Sequence, residues 1–74
     1  MKYNQFLLSQ LLRDTIDEYN ELPYDILWDI SYDIHDEYIH SKYFIMQISL
    51  CESIEEFIKD NEESLIKRIL KFIN

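Results

Sequence analysis

The side chains with the clearest chemical potential lie close together in the middle of this 74-residue chain. Asp33, His35, Asp36, Glu37 and His40 all carry groups that can ligate a divalent metal ion. The two histidines are five residues apart, a spacing that does not place both on one face of a helix and matches no closed metal site. We therefore interpret these residues as surface groups whose imidazoles titrate near neutral pH, and we expect no metal ion and no cofactor.

The length of the chain also argues against catalysis. Paired carboxylates could act as general acid and base, but 74 residues leave little volume for a pocket once a core is filled, so we expect no enzyme. Cys51 has neither a basic neighbour nor a second cysteine, so we expect it to be a packed apolar side chain. A lone cysteine excludes an internal disulfide and fits a cytoplasmic location. The apolar stretches are too short for a transmembrane helix or a signal peptide.

Negative charge is concentrated in one segment of the chain. The sequence contains 15 acidic and 7 basic residues, for a formal net charge of −8. Nine acidic residues and no basic residue lie between Asp14 and Ser41, which leaves six acidic and seven basic residues elsewhere. Such a chain is unsuited to binding nucleic acid, which requires clustered Lys and Arg. The segment predicts either a solvated surface that maintains solubility or a face for a basic partner.

Aromatic residues alternate with the acidic residues of this segment, and aromatic side chains provide buried contact area at interfaces. A protein that holds nucleic acid displays positive charges, and a row of carboxylates can occupy the same groove. The predicted partner is therefore a protein with a basic nucleic-acid-binding surface, and neither nucleic acid itself nor a membrane. We predict that this partner contacts seven residues: Asp25, Trp28, Asp29, Tyr32, Asp33, Asp36 and Glu37.

The middle of the chain favours strands by its hydrophobic pattern. Apolar and polar residues alternate from Ile26 to His35, with Leu27 as the one exception, and a second alternating run extends from Phe44 to Leu50, with Ile45 as its exception. Alternation is typical of half-buried strands, so the two runs predict an antiparallel hairpin across a loop at 36–42. The predicted fold is α+β, a single domain over residues 1–74 with the order helix, strand, strand, helix, helix.

A helical interpretation of the same residues is the alternative. Four acidic residues are spaced by four positions and would form an acidic stripe on a helix that starts at Pro23: Asp25, Asp29, Asp33 and Glu37. The absence of glycine also favours this all-α four-helix bundle, because tight hairpin turns require positive φ angles. A helix over 42–59, however, would place Gln47 at the centre of its apolar face, and we therefore choose the strands.

Helices are predicted at both ends of the chain. Apolar residues recur every three or four positions over residues 3–19. Ser53 and Glu56 form a capping-box pattern at the start of a second helix. Asp60 or Asn61 can cap a third helix, whose acidic start and basic end complement the helix dipole.

Self-association is expected because the chain is short. A chain of fewer than ~70–80 residues rarely builds a core that contributes more than ~3–5 kcal/mol without a further source of stability. No disulfide or metal site supplies one in this sequence. We therefore expect a homodimer, or a constitutive complex with a target.

In size, acidity and composition the chain resembles the small inhibitor proteins that phages encode against host defences, among them anti-CRISPR proteins and DNA-mimicking inhibitors. The resemblance rests on overall composition and on residues 14–41, DTIDEYNELPYDILWDISYDIHDEYIHS. It implies a non-enzymatic inhibitor that covers a basic nucleic-acid site on a host nuclease or effector complex. The alternative is a protein-interaction module, such as an immunity protein, an antitoxin or a regulatory or assembly subunit. Such a module would bind through apolar surface and use its acidic residues only for solubility.

Overall fold

The computed structural model describes residues 2–73, and all the regular structure within them is helical. The predicted α+β hairpin is therefore wrong, and the all-α alternative agrees with the structure. A single helical turn, α2, lies between two longer helices. The elements are α1 (Lys2–Thr15), α2 (Asp17–Asn20), α3 (Tyr24–Ile39), α4 (Leu50–Asp60) and α5 (Glu62–Ile73).

The first predicted strand, Ile26–His35, is part of α3. Leu27, Ile30, Ile34 and Tyr38 recur every three or four residues, and all four are fully buried. The alternating pattern placed Tyr32 on the same face as Ile30 and Ile34, but the Tyr32 side chain is 68% exposed. Over these ten residues the apolar side chains fit a two-residue strand period and a 3.6-residue helical period almost equally well. The segment is helical because Leu27 and Tyr38 complete the buried stripe of the helix.

The second predicted strand, Phe44–Leu50, is also wrong. Residues 40–49 form turns and bends, and Leu50 is the first residue of α4. A lone alternating run has no structure of its own, because a strand needs a neighbouring strand to satisfy its backbone groups. Since residues 26–35 are helical, that neighbour does not exist here.

Ser49 caps α4, not Ser53 as the sequence predicted. The hydroxyl oxygen of Ser49 accepts a hydrogen bond from the Glu52 backbone N–H at 3.2 Å. Ser53 lies one turn further on, inside the helix, and its side chain is buried. Both serines stand three residues before a glutamate, Glu52 or Glu56, so the capping pattern alone does not choose between them.

The helix predicted over residues 3–19 is interrupted at Ile16. The backbone of Ile16 is extended, with φ −119° and ψ 115°, while its side chain stays in the core. Asp17 and Glu18 then open α2, where their charges favour the positive end of the helix dipole. Tyr19 closes this turn, and its buried hydroxyl donates to the Leu65 carbonyl of α5 at 2.6 Å.

One hydrophobic core collects side chains from all five helices. α1 contacts α2, α3 and α4, while α5 packs against α2 and α4. The structure thus presents the outer faces of α3 and α5 and the 40–49 segment to solvent. The core consists of Leu8, Leu12, Ile16, Tyr19, Leu27, Ile30, Ile34, Tyr38, Ile54, Phe57, Ile58, Leu65 and Ile69.

We expect Tyr38→Phe to lower the free energy of unfolding by about 1 kcal/mol, because it removes a buried hydrogen bond between the Tyr38 hydroxyl and Ser53 Oγ, 2.7 Å apart. Urea denaturation measures this loss. Tyr32→Phe is the matched control on the same helix, since the Tyr32 side chain is exposed, and it should leave stability unchanged. Equal stability of the two variants would contradict the structural role given to this bond.

Candidate functional site

All seven predicted partner-binding residues lie on α3, and six of them are exposed. Trp28 is half-buried, and its ring stacks parallel to that of Tyr24 with centroids 6.4 Å apart. The helix turns by about 100° per residue, so Asp25, Asp29, Tyr32 and Asp36 fall on the outermost part of its surface. We call these four residues the acidic face.

The other three predicted residues lie beside this face. Trp28 and Glu37 are nine residues apart and hence about 180° apart around the axis. On one flank, the Gln5 side chain of α1 donates to the Trp28 carbonyl at 3.2 Å. On the other, Arg68 of α5 forms an ion pair with Glu37. The structure therefore does not bring all seven side chains onto one surface.

Part of the predicted acidic stripe meets basic residues of α5. A groove of about 540 Å³ between α3 and α5 is lined by Asp33 together with Lys67, Arg68 and Lys71. The carboxylates of Asp33 and Glu37 therefore have cations beside them within the same chain. Only the acidic face itself is directed away from these cations.

α3 is poorly matched to its own dipole. No basic residue lies in its last turn, where Asp36 and Glu37 are placed instead. Acidic groups near a helix C-terminus are unfavourable by ~0.3–1 kcal/mol each. At the other end, the N-cap Pro23 provides no side-chain hydrogen bond. Core packing, together with the side-chain hydrogen bonds of His40 and Ser41 to carbonyls of the last turn, holds α3 in place.

A second candidate surface, which the sequence did not predict, is the 40–49 segment. Phe44, Ile45, Met46 and Ile48 are all exposed there, and Ile45 reaches 78%. We call residues 40–49 the apolar loop. Four large apolar side chains within five positions form a concentration of exposed apolar surface of the kind that marks protein-interaction sites.

The apolar loop is fixed to the helices on both sides of it. Its Tyr43 carbonyl accepts a hydrogen bond from the buried Ser53 hydroxyl of α4, and Ser53 Oγ in turn pairs with Tyr38 of α3. The Tyr43 ring packs edge-on against Phe57 with centroids 5.7 Å apart. Its hydroxyl donates to Asp60 Oδ2 at 2.5 Å, and this bond raises the pKa of Tyr43.

The Phe44 ring packs against a neighbouring ring on one side only. Its ring meets the Tyr38 ring edge-on, with centroids 5.6 Å apart, although the residue remains exposed. The chain thus turns inward at Tyr43 and outward at Ile45. The result is a loop that is held on its inner side at Tyr43 and Phe44 and leaves Ile45, Met46 and Ile48 exposed.

The sequence contains one signal for this loop, the same run that predicts the second strand. The run from Phe44 to Leu50 is apolar but does not continue the helical period of the segments around it. Once residues 26–35 are recognised as a helix, an apolar run outside helical spacing can only be an irregular segment. Its exposure follows from the positions of Tyr43 and Ser53, which are set by tertiary contacts.

The remaining chemical candidates do not assemble into a site. No group of three or more His, Cys, Asp or Glu side chains among residues 2–73 is arranged to hold a metal ion. His40 is exposed, and its Nδ1 lies 2.7 Å from the Asp36 carbonyl, where it satisfies the end of α3. His35 instead is buried, on the side of α3 that bears Trp28.

Cys51 is exposed in the first turn of α4, so its predicted burial is wrong. Its Sγ lies 3.8 Å from a Glu55 carboxylate oxygen. Partial desolvation, and then the negative charge of Glu55, raise the pKa of the Cys51 thiol. A raised thiol pKa disfavours the thiolate, so Cys51 has no features of an activated nucleophile.

Three comparisons of the chain with known proteins find no match. The search covered protein-family models, curated proteins and solved structures, and none of them matches the chain. Among the described helices, none is both long and apolar enough to span a membrane.

The burial of His35 should make the protein less stable in mild acid. No group in the described chain pairs with its Nε2, and burial lowers the pKa of His35 below 6.5, against a weaker opposing effect of Asp36. The unfolded chain therefore takes up this proton first as the pH falls. The free energy of unfolding is fully retained above about pH 6.5 and should decrease below it.

Urea denaturation between about pH 7.5 and pH 5.5 measures this dependence. His35→Gln removes the titrating group and should flatten the slope, whatever its effect on absolute stability. His40→Gln changes the exposed histidine and should keep the slope of the wild type. An unchanged slope in His35→Gln would show that another group is responsible.

Proposed function

We propose that the chain is a small protein-interaction module that binds a partner protein through the apolar loop and carries out no reaction itself. The observation that carries this proposal is the set of outward apolar side chains at Phe44, Ile45, Met46 and Ile48, held by buried bonds on their inner side. An immunity protein, an antitoxin or a regulatory or assembly subunit of the cytoplasm fits this description.

The energetics favour the apolar loop over the acidic face. Full burial of an exposed Ile, Phe or Met side chain contributes about 1.5–3 kcal/mol, so covering the 41–78% of each loop side chain that remains exposed contributes roughly 3–6 kcal/mol for the four together. Exposed ion pairs contribute only about 0.2–1 kcal/mol each. The α5 cations beside Asp33 and Glu37 reduce the electrostatic contribution of the α3 stripe further.

We expect Ile45→Ser combined with Ile48→Ser to abolish partner binding without loss of stability, because both side chains are exposed in the free protein. Affinity purification from cells that encode the chain, followed by calorimetry with the recovered partner, measures the effect. Tyr3→Ser combined with Tyr24→Ser is the matched control, since it removes exposed apolar side chains outside the loop. Wild-type affinity in the loop variant would contradict the proposal.

A second candidate function is favoured by the acidic face. Asp25, Asp29 and Asp36 point outward beside the exposed Tyr32, which would suit a basic nucleic-acid-binding groove. In this case the protein would be a stoichiometric inhibitor of a host nuclease or effector, as its resemblance to phage-encoded inhibitors implies. Binding would then depend on charge and not on the apolar loop.

Asp29→Asn combined with Asp36→Asn tests this second function. If charge mimicry operates, affinity for the partner should fall by up to about 30-fold, weaken steeply with salt and be reduced by short DNA. Asp14→Asn combined with Glu56→Gln removes the same charge from exposed sites outside α3 and should not change affinity. Salt-insensitive binding that DNA does not inhibit would exclude mimicry and agree with the apolar loop.

A further inference from the structure

We propose that the partner segment that covers the apolar loop is a basic amphipathic helix. It lies along α4, with its apolar side chains on the loop and Lys or Arg side chains beside Glu52 and Glu56. This rests on the proposed function, because it names the chemistry of the partner that the apolar loop binds. A partner segment without basic side chains would overturn it and leave the apolar loop as the interface.

The apolar loop runs along one side of α4. The Ser53 hydroxyl, one turn past the N-cap of that helix, donates to the Tyr43 carbonyl. The Tyr43 hydroxyl donates to Asp60 Oδ2 at the far end of the helix, so the Tyr43 side chain lies lengthwise on α4. The chain then returns to Ser49, which is the N-cap itself. The exposed apolar side chains of residues 44–48 therefore lie beside the first half of α4.

A row of three carboxylates borders the loop on α4. Glu52, Glu56 and Asp60 are spaced by four residues, which places them along one edge of the helix about 6 Å apart. The Glu52 carboxylate accepts a hydrogen bond from the Ser49 hydroxyl at 2.9 Å. The hydrogen bond to Asp60 and, more weakly, the charge of Glu56 raise the pKa of Tyr43. All three carboxylates thus act on residues of the loop, and its apolar surface has negative charge along one side.

The basic residues nearby leave this row largely uncompensated. The loop and α4 together contain four acidic residues and two basic ones, Lys42 and Lys59. Lys42 lies over an aromatic ring of the loop, 5.4 Å from its centroid. Lys59 lines a depression together with Asp60 and two glutamates at the start of α5. Within the described residues, neither lysine forms an ion pair with Glu52 or Glu56. A basic partner is therefore attracted to this edge and an acidic one is repelled.

The backbone of the loop limits the form of the partner segment. Residues 40–49 form turns and bends, and the described chain has no sheet edge to which an extended segment could add a strand. A segment that covers the loop must therefore satisfy its own backbone groups, as an α-helix does. Basic side chains spaced by four residues along such a helix match the spacing of the carboxylates on α4.

Calorimetric titration of the full chain with two synthetic helical peptides tests the charge of the partner. Both peptides are about 18 residues long with the same leucine face, and their other positions are Lys in one and Glu in the other. The Leu/Lys peptide should bind at least about 10-fold more tightly, since like charges across an interface are disfavoured. Equal affinity of the two peptides, or no binding of either at about 1 mM, would overturn the proposal.

Two pairs of substitutions locate the contact, because the acidic face also attracts cations. Glu52→Gln with Glu56→Gln should weaken binding of the Leu/Lys peptide about 5-fold. Asp29→Asn with Asp36→Asn removes the same charge from the acidic face and should change the affinity by less than about 2-fold. Circular dichroism first establishes that both variants remain helical. A loss of affinity confined to the acidic-face variant would overturn the proposal.

The loop variant separates this proposal from the proposed function. Ile45→Ser with Ile48→Ser should abolish binding of the Leu/Lys peptide, and unchanged binding would overturn the docking on the loop. The partner recovered from cells should lose affinity for this variant and for Glu52→Gln with Glu56→Gln. If it loses affinity only for the loop variant, the basic helix is wrong and the proposed function stands. If the loop variant binds the recovered partner as the wild type does, the proposed function itself fails.

Discussion

The buried contact between α3, α4 and the apolar loop determines what this protein can present to a partner. Tyr38 pairs with Ser53, and Ser53 donates to the Tyr43 carbonyl, so three separate segments are joined through one hydroxyl. The loop contains neither glycine nor regular structure. Without these hydrogen bonds few interactions would hold the loop backbone, and its apolar side chains would be free to pack onto the core.

The second constraint is the match between charged side chains and the helix dipole, and α3 and α5 differ in how well they satisfy it. α3 carries acidic side chains to its C-terminal end with no basic residue in its last turn, while α5 has the favourable order of acid first and base last. The pair between Arg68 and Glu37 joins the two helices at their charged edges. The charge of α3 is therefore partly balanced at the edge that faces α5, and the exposed apolar residues become the stronger basis for binding.

The sequence predicted the outer helices and missed the centre, for reasons that particular residues explain. Residues 3–19 and 62–73 are apolar at helical spacing only, so their helices were predicted, although the break at Ile16 was not. Over residues 26–35 the two periods largely coincide, and the burial of Leu27 and Tyr38 and the exposure of Tyr32 separate them.

In the candidate site, too, some features follow from the spacing of residues along the chain and others depend on tertiary contacts. The outward positions of Asp25, Asp29 and Asp36 follow from their spacing of four and seven residues once α3 is helical. The apolar loop does not follow from any local pattern, since its direction depends on Tyr43 and Ser53, ten residues apart. The choice of Ser49 over Ser53 as the cap likewise required the knowledge that Ser53 is needed in the interior.

The central claim is that the apolar loop is the surface that binds a partner. Hydrogen–deuterium exchange on the complex with the recovered partner tests it most directly, because it reports protection for each segment of the chain. The account predicts slowed exchange over residues 43–48 and an unchanged rate over 24–37. Protection confined to 24–37, with the loop exchanging as in the free protein, would contradict it.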